Sequence, residues 1–127
     1  MFGYADYAAA KAGVIALSRV LRSELRPQGI GVSVLLPTDT NTPGFAEENK
    51  RKPEETKAIS GKAEVVSPEL IAEGLFRGLE KGRFLIIPTF RDRLFCLVDR
   101  LMPRLVDRVM DMDVDSVRRR RKERGEL

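Results

Sequence analysis

Apolar positions recur at helical spacing at the start of the chain. Between Ala5 and Leu25 they return every three or four residues, which predicts one long helix rich in small side chains. Pro27 and Gly29 follow directly and are expected to end that helix. Residues 30–36 are then almost uncharged and apolar on both faces, a pattern typical of a strand buried in a parallel sheet.

A second helix and a second strand follow later in the chain. Ser67 is a good helix cap, and the proline after it suits the first helical position, so a helix is predicted from there to about Lys81. Gly82 is the expected carboxyl-terminal cap. Residues 84–87 are apolar and predict a second buried strand, which Pro88 ends.

The segment between the first strand and the second helix is polar. Residues 37–44 are rich in turn residues and predict a loop directly after the strand. Residues 45–59 are strongly charged, which favours a short helix broken near Pro53. Because this segment has a solvated character, we expect it to form a mobile lid or an excursion from the fold.

The order of elements indicates the α/β class. Helix, strand, loop, helix and strand alternate, but two strands do not make a stable sheet, and no strand precedes the first helix. We therefore expect residues 1–90 to form the carboxyl-terminal half of a doubly wound parallel sheet. Residues 91–127 are expected to add an amphipathic helix and a basic tail.

The pattern after residue 90 allows two interpretations. Apolar residues and arginines alternate at helical spacing over 91–110, which predicts an amphipathic helix that is bent or interrupted at Pro103. Such a helix can lie in a membrane interface, or its apolar face can cover the core or a neighbouring subunit of a homo-oligomer. Residues 118–124 are expected to form a solvated, disordered tail.

Composition narrows the chemistry and the compartment. The chain has no histidine, which excludes a Ser-His-Asp triad, a Cys-His dyad and imidazole metal ligands, so proton transfer falls to Tyr, Lys, Asp or Glu. Cys96 is the single cysteine, which favours a reducing compartment. Neither a signal peptide nor a run of ~18 apolar residues occurs. We expect a cytoplasmic protein, peripheral to a membrane if the amphipathic helix binds lipid.

Charge is concentrated at the carboxyl end. Residues 118–124 carry a net charge of +5, so the other 120 residues together stand at −1 in a chain of net charge +4. A body near neutrality argues against a nucleic-acid-binding surface.

Tyr7 and Lys11 are the candidate acid-base pair. They stand four residues apart near the start of the first helix, and therefore on one face. An ammonium group one turn away stabilises a phenolate and so lowers the pKa of the phenol. Such a pair can move a proton to or from a carbonyl oxygen, although Tyr and Lys at this spacing are also common on helix surfaces.

The residues around this pair carry a family resemblance. Residues 3–14 contain Tyr-x-x-x-Lys among small side chains, Leu21, Glu24 and Leu25 follow, and the predicted strand ends in proline. Together they resemble the active-site helix and following strand of the short-chain dehydrogenase/reductase family. The resemblance implies a Rossmann-like fold, and it implies that Tyr7 protonates the substrate carbonyl while Lys11 lowers the pKa of that tyrosine and binds the nicotinamide ribose.

The loop after the strand extends the resemblance to the cofactor. The family usually has Pro-Gly-x-x-x-Thr here, and this chain has Pro37 and Thr42 at the matching positions, with Thr38 in place of the glycine. The resemblance implies that Pro37, Thr38, Thr40 and Thr42 contact the cofactor, while a polar turn that merely ends the strand is an equally good interpretation of the threonines.

A narrower resemblance concerns the substrate. Residues 39–49, with Lys52, Pro53, Glu55 and Thr56, are similar to the loop of the 3-ketodihydrosphingosine reductases. That group reduces a long-chain keto-sphingoid base with NADPH in sphingolipid synthesis. The resemblance implies NADPH and a long-chain keto lipid as ligands, and a reductase for another lipid-like ketone is the alternative.

Two family features are missing from the sequence. No Gly-x-x-x-Gly-x-Gly turn for the pyrophosphate occurs, and neither does the serine that precedes the tyrosine in the family. We therefore expect this chain to be the carboxyl-terminal half of a reductase and inactive alone. The alternative is a non-catalytic module that binds a membrane surface or another protein.

Overall fold

A computed structural model describes residues 2–61 and 63–126. The helices are α1 (Ala5–Leu25), α2 (Pro43–Arg51), α3 (Glu54–Ser60), α4 (Pro68–Glu80), α5 (Phe90–Leu101) and α6 (Pro103–Glu123), and the strands are β1 (Val34–Leu35) and β2 (Leu85–Ile86). A short 3-10 turn, Arg26–Gln28, extends α1, and Gly29 ends it with a φ of 74°.

The two strands form a small parallel sheet. Val34 pairs with Leu85 and Leu35 with Ile86, and the Val34 and Leu36 amides donate to the carbonyls of Phe84 and Ile86. The predicted α/β class is thus confirmed, and a mostly helical chain with a two-stranded parallel sheet is consistent with a Rossmann-like fragment.

The strands are shorter than predicted. Residues 30–33 lie outside β1 because a strand needs a partner, and β2 offers only two residues in register. Ser33 instead donates its hydroxyl to the Arg83 carbonyl. The second strand was expected to be covered on both faces, but Leu85 is exposed while Ile86 is buried.

Helix α4 follows its sequence signals and covers the sheet. Ser67 accepts a hydrogen bond from the Leu70 amide, and Gly82 adopts a φ of 61° after the last turn. Ile71, on α4, is buried with Val34, Val66 and Ile86 in a small core around the sheet.

The charged segment 45–59 differs from the prediction. It forms α2 and α3 with the expected break at Pro53, and α2 begins within the predicted loop, at Pro43. The expected solvated character holds for α2, which buries none of its residues, but not for α3, which packs against α6 and buries Glu55 and Thr56. The Thr56 hydroxyl donates to the Phe2 carbonyl.

The basic run is helical, which corrects the expectation of a disordered tail. The predicted interruption at Pro103 is confirmed, but α6 then continues to Glu123. Arg121 pairs with the buried carboxylate of Glu55 at 3.3 Å, and Arg124 pairs with Glu54 at 3.0 Å. These ion pairs hold the end of α6 on α3.

Among the described residues, no helix has a stretch that is both long and apolar enough to cross a membrane.

Candidate active site

Helix α1 places Tyr7 at the edge of the sheet where the predicted cofactor loop begins. At its carboxyl-terminal half, the Arg19 and Arg22 guanidinium carbons lie 5.8 and 5.7 Å from the ring centre of Phe84, which directly precedes β2. At the amino end of α1, the Tyr4 hydroxyl donates to Glu48 of α2, the helix that follows β1 and its loop. The helix therefore runs antiparallel to both strands, and its first turns lie towards their carboxyl ends.

Tyr7 and Lys11 lie together on α1, as predicted. The Lys11 Nζ is 5.3 Å from the centre of the Tyr7 ring, a cation–π contact, and the Tyr7 side chain is 56% exposed. The ring of Tyr4 meets that of Tyr7 edge to face, with centroids 5.9 Å apart and an interplanar angle of 87°. Tyr7 is therefore held between a ring and an ammonium group, with much of its surface open.

The loop from residue 37 to residue 42 is ordered by its own threonines. Pro37 is exposed, Thr38 donates to the Glu64 carbonyl at 3.4 Å, and Thr40 donates to the Thr38 carbonyl at 2.8 Å. Thr42 caps α2 and accepts from the Phe45 amide at 3.1 Å. These contacts support the polar-turn interpretation, yet Thr42 accepts in its bond and keeps its own hydroxyl proton for another acceptor.

A second segment pairs with this loop. Thr40 forms a parallel bridge with Val66, the Asn41 amide donates to the Val66 carbonyl at 2.8 Å, and the Val66 amide donates to the Asp39 carbonyl at 3.0 Å. The backbone of the loop is therefore fixed on one side. Between this loop and either Tyr7 or Lys11, no hydrogen bond or ion pair occurs in the part of the chain that the structure describes.

A group of residues that the sequence analysis missed lies between the loop and α1. The Tyr4 hydroxyl donates to Glu48 Oε1 at 3.1 Å, and Lys52 Nζ lies 3.7 Å from Glu48 Oε1 and 4.0 Å from Asp39 Oδ2. The Lys52 Nζ is also 5.1 Å from the ring centre of Phe45. In the sequence, the spacing of four residues between Glu48 and Lys52 is the pattern from which part of this group could have been predicted.

The Tyr4 phenol is held as a neutral donor. Burial raises its pKa above the usual value of 10.0, and the hydrogen bond to the Glu48 carboxylate raises it further. A phenol with a raised pKa keeps its proton at neutral pH, so Tyr4 donates to Glu48 and does not compete with Tyr7 as a proton acceptor.

The donor set fits a nicotinamide cofactor and a carbonyl substrate. Tyr7 presents a phenol and Lys11 an ammonium group from the same exposed face, and the threonine loop begins at the same edge of the sheet. Phenol and ammonium protons suit a ketone oxygen and ribose hydroxyls, and ordered backbone at the end of a strand suits a polar cofactor.

Comparisons with known proteins point to one group of enzymes. Residues 1–53 match the family model described as short chain dehydrogenase. The 3-ketodihydrosphingosine reductase of Dictyostelium discoideum is 44% identical over 90 residues, which are 68% of this chain and 27% of that protein. The 3-dehydrosphinganine reductase of Danio rerio is 44% identical over 84 residues, or 66% of this chain and 25% of that protein.

A third relative, the 3-ketodihydrosphingosine reductase of Bos taurus, is 39% identical over 66% of this chain and 25% of its own length. The chain thus spans about a quarter of the length of the curated relatives it matches. No solved structure matches. The family model and the relatives together confirm the resemblance of this chain to the short-chain dehydrogenase/reductase family, whose members are oxidoreductases that generally use NAD(P)H.

Proposed function

We propose that this chain carries the acid-base pair and part of the cofactor loop of an NADPH-dependent reductase that reduces the keto group of 3-ketodihydrosphingosine. The observation that carries the proposal is the placement of Lys11 against Tyr7, on an exposed face at the edge where the threonine loop begins. The names of the relatives support the choice of substrate, which is a long-chain keto lipid.

In this proposal Tyr7 moves the proton. Its phenol donates the proton to the ketone oxygen as the carbonyl carbon is reduced, so that the product is a secondary alcohol and Tyr7 is left as phenolate. Lys11 stabilises that negative charge from one turn away, and its remaining protons bind ribose hydroxyls. The nicotinamide, when bound, supplies the hydride.

The loop residues orient the cofactor in the same proposal. Thr42 offers its hydroxyl proton to an acceptor on the ligand while its oxygen continues to cap α2. Pro37, Thr38 and Thr40 form the ordered backbone against which the nicotinamide end rests, and the bridge to Val66 keeps that backbone in place.

The test is the replacement of Tyr7 by Phe in the full-length protein, with 3-ketodihydrosphingosine and NADPH as substrates. Loss of a general acid lowers kcat by about 10²- to 10⁴-fold, and we expect a drop in that range. Ser23→Ala is the matched control, because it removes a hydroxyl from an exposed position of the same helix. Activity of Tyr7→Phe within about tenfold of the unchanged protein contradicts the proposal, as does activity confined to another long-chain ketone.

A second proposal concerns the membrane, and one observation favours it. Four residues of α5 form a single stripe at spacings of four, three and four, and each is at least half exposed: Phe90, Leu94, Leu97 and Leu101. Arg93 and Arg100 flank the stripe on one side and Arg91 on the other. Apolar side chains between cations suit the interface of an anionic bilayer, so we propose a cytoplasmic protein that lies peripherally on a membrane.

Vesicle co-sedimentation tests this second proposal. The full-length protein should sediment with vesicles that contain phosphatidylserine and less with phosphatidylcholine alone. Because burial of one leucine contributes about 1.5–3 kcal/mol, Leu97→Gln with Leu101→Gln should weaken binding at least about tenfold. Phe76→Gln is the control, since Phe76 is equally exposed but lies on α4. Unchanged sedimentation of the double variant would exclude α5 as the contact.

A further inference from the structure

Lys52 is a buried cation between the two parts of the candidate site. Only 4% of its side chain is exposed, although it belongs to a segment with several solvated charges. Removal of an ammonium group from water is costly unless opposite charges face it. Two carboxylates do so here, and they come from different elements: Glu48 from α2 and Asp39 from the loop after β1.

Each carboxylate connects Lys52 to one half of the site. Asp39 lies within the threonine loop, where its carbonyl accepts from the Val66 amide. Glu48 accepts the Tyr4 hydroxyl at 3.1 Å, and the Tyr4 ring lies edge to face against Tyr7. A continuous series of contacts therefore runs from the loop through Lys52 to the ring that carries the proposed acid.

The local geometry limits how far these parts can move. Phe45 lies under the ammonium group at 5.1 Å and shares α2 with Glu48, and Thr42 fixes the first turn of that helix through the Phe45 amide. Displacement of Lys52 would leave a buried charge unpaired, so the loop and the amino end of α1 are held at one spacing. A shift of about 1 Å in such a site can cost about 100-fold in rate.

We propose that Lys52 is a positioning residue that holds the loop of residues 37–42 against the tyrosine-bearing end of α1, acting through Asp39 on one side and through Glu48 and Tyr4 on the other. This inference rests on the proposed function, because it assigns the loop to the cofactor and Tyr7 to proton transfer. It adds to that function a residue that touches neither ligand.

The test separates the two sides of Lys52 in the full-length protein. The dissociation constant for NADPH is measured by fluorescence titration, and kcat is measured at saturating cofactor. Asp39→Asn breaks the contact to the loop and should raise the NADPH dissociation constant about tenfold with little change in kcat. Tyr4→Phe breaks the contact to Glu48 and should lower kcat about tenfold with little change in NADPH binding.

Lys52→Met should produce both losses together. Its matched control is Lys50→Met, in the last turn of α2 just before Lys52, because Lys50 is exposed and its ammonium group lies 2.7 Å from the Glu47 carboxylate; both quantities should stay within about twofold of their original values. Melting temperatures are recorded for every variant. A role in packing alone would move the dissociation constant and kcat together in Asp39→Asn and in Tyr4→Phe, in step with the melting temperature, and would overturn the proposal.

Failure of this inference is distinguishable from failure of the proposed function. Full activity of Tyr7→Phe would refute the proposed function. An inactive Tyr7→Phe beside a Lys52→Met variant with unchanged NADPH binding and kcat would refute the positioning role alone.

Discussion

At the scale of single residues, burial of charge was the property that the sequence did not reveal. Lys52 and Glu55 lie in a run of acidic and basic residues that reads as a solvated surface, yet both are buried. Each has a counter-charge from another element, Asp39 for Lys52 and Arg121 for Glu55, although Lys52 also has a local partner in Glu48. The distance along the chain between Glu55 and Arg121 leaves no local pattern that could predict this pair.

Cys96 gives a prediction at this scale. Burial raises the pKa of its thiol above the usual value of 9.0, and the carboxylates of Asp92 and Asp99, one turn away on either side, raise it further. Because the thiolate is the reactive form, a raised pKa means slower alkylation at any pH below that value. Iodoacetamide should therefore react more slowly with the folded chain than with the chain in urea between about pH 7 and 8.5.

Replacement of one carboxylate should reverse part of this effect. Asp99→Asn should lower the pH at which alkylation of Cys96 reaches half of its maximal rate, whereas Asp107→Asn, on α6, should leave that pH unchanged. Equal rates for the folded and the unfolded chain would contradict the assigned pKa shift.

At the scale of elements, helix ends followed local signals and strand lengths did not. The caps at Ser67 and Gly82 and the end of α1 before Gly29 were predictable, since each depends on residues within one turn. The length of β1 depends on how many residues β2 brings into register, which is determined by the tertiary structure and not by the local sequence. Tyr7 and Lys11 were predictable for the same reason as the caps, because a spacing of four on a helix fixes their contact.

Packing of α4 on β2 gives the second prediction. A Cβ at Gly78 would lie 2.6 Å from the side chain of Ile86, the most deeply buried apolar residue of the sheet. Overpacking in Gly78→Ala should therefore destabilise the chain by about 1–3 kcal/mol. The higher helix propensity of alanine offsets about 1 kcal/mol of this loss. The measurement is the urea dependence of the far-ultraviolet circular dichroism.

Gly13→Ala provides the matched control on α1. Nothing lies within 4 Å of a Cβ at that position, so the same substitution should stabilise the chain by about 0.5–1 kcal/mol. Opposite signs at the two glycines are expected, and a stabilised Gly78→Ala variant would mean that α4 does not pack as closely on β2.

At the scale of the whole molecule, α6 packs on α3 and α4 packs on β2, whereas α1 is poorly covered. Ion pairs and the buried Val117 hold α6 on α3, and glycines bring α4 onto β2. Helix α1 is different, because none of its 21 residues is buried. Small and apolar side chains suit a helix that packs closely against another surface, and the described residues cover α1 only in part.

The exposed face of α1 leads to a prediction about self-association. Val14, Leu17 and Val20 are each more than half exposed on this one helix. Apolar area of this kind is normally covered, and a second copy of the chain can cover it. We therefore expect the 127-residue chain to form dimers or larger species at micromolar concentration, as sedimentation velocity would show by a weight-average mass that rises with concentration.

Substitution on this face tests whether α1 is the contact. In a two-fold dimer each change acts twice, so Leu17→Gln, which removes about 1.5 kcal/mol of burial per copy, should raise the dissociation constant by about 100-fold. Glu24→Gln on the same helix is the control and changes charge without apolar area. If Leu17→Gln associates as strongly as the unchanged chain while α1 remains helical, the contact lies elsewhere, and the exposed stripe of α5 becomes the surface to examine.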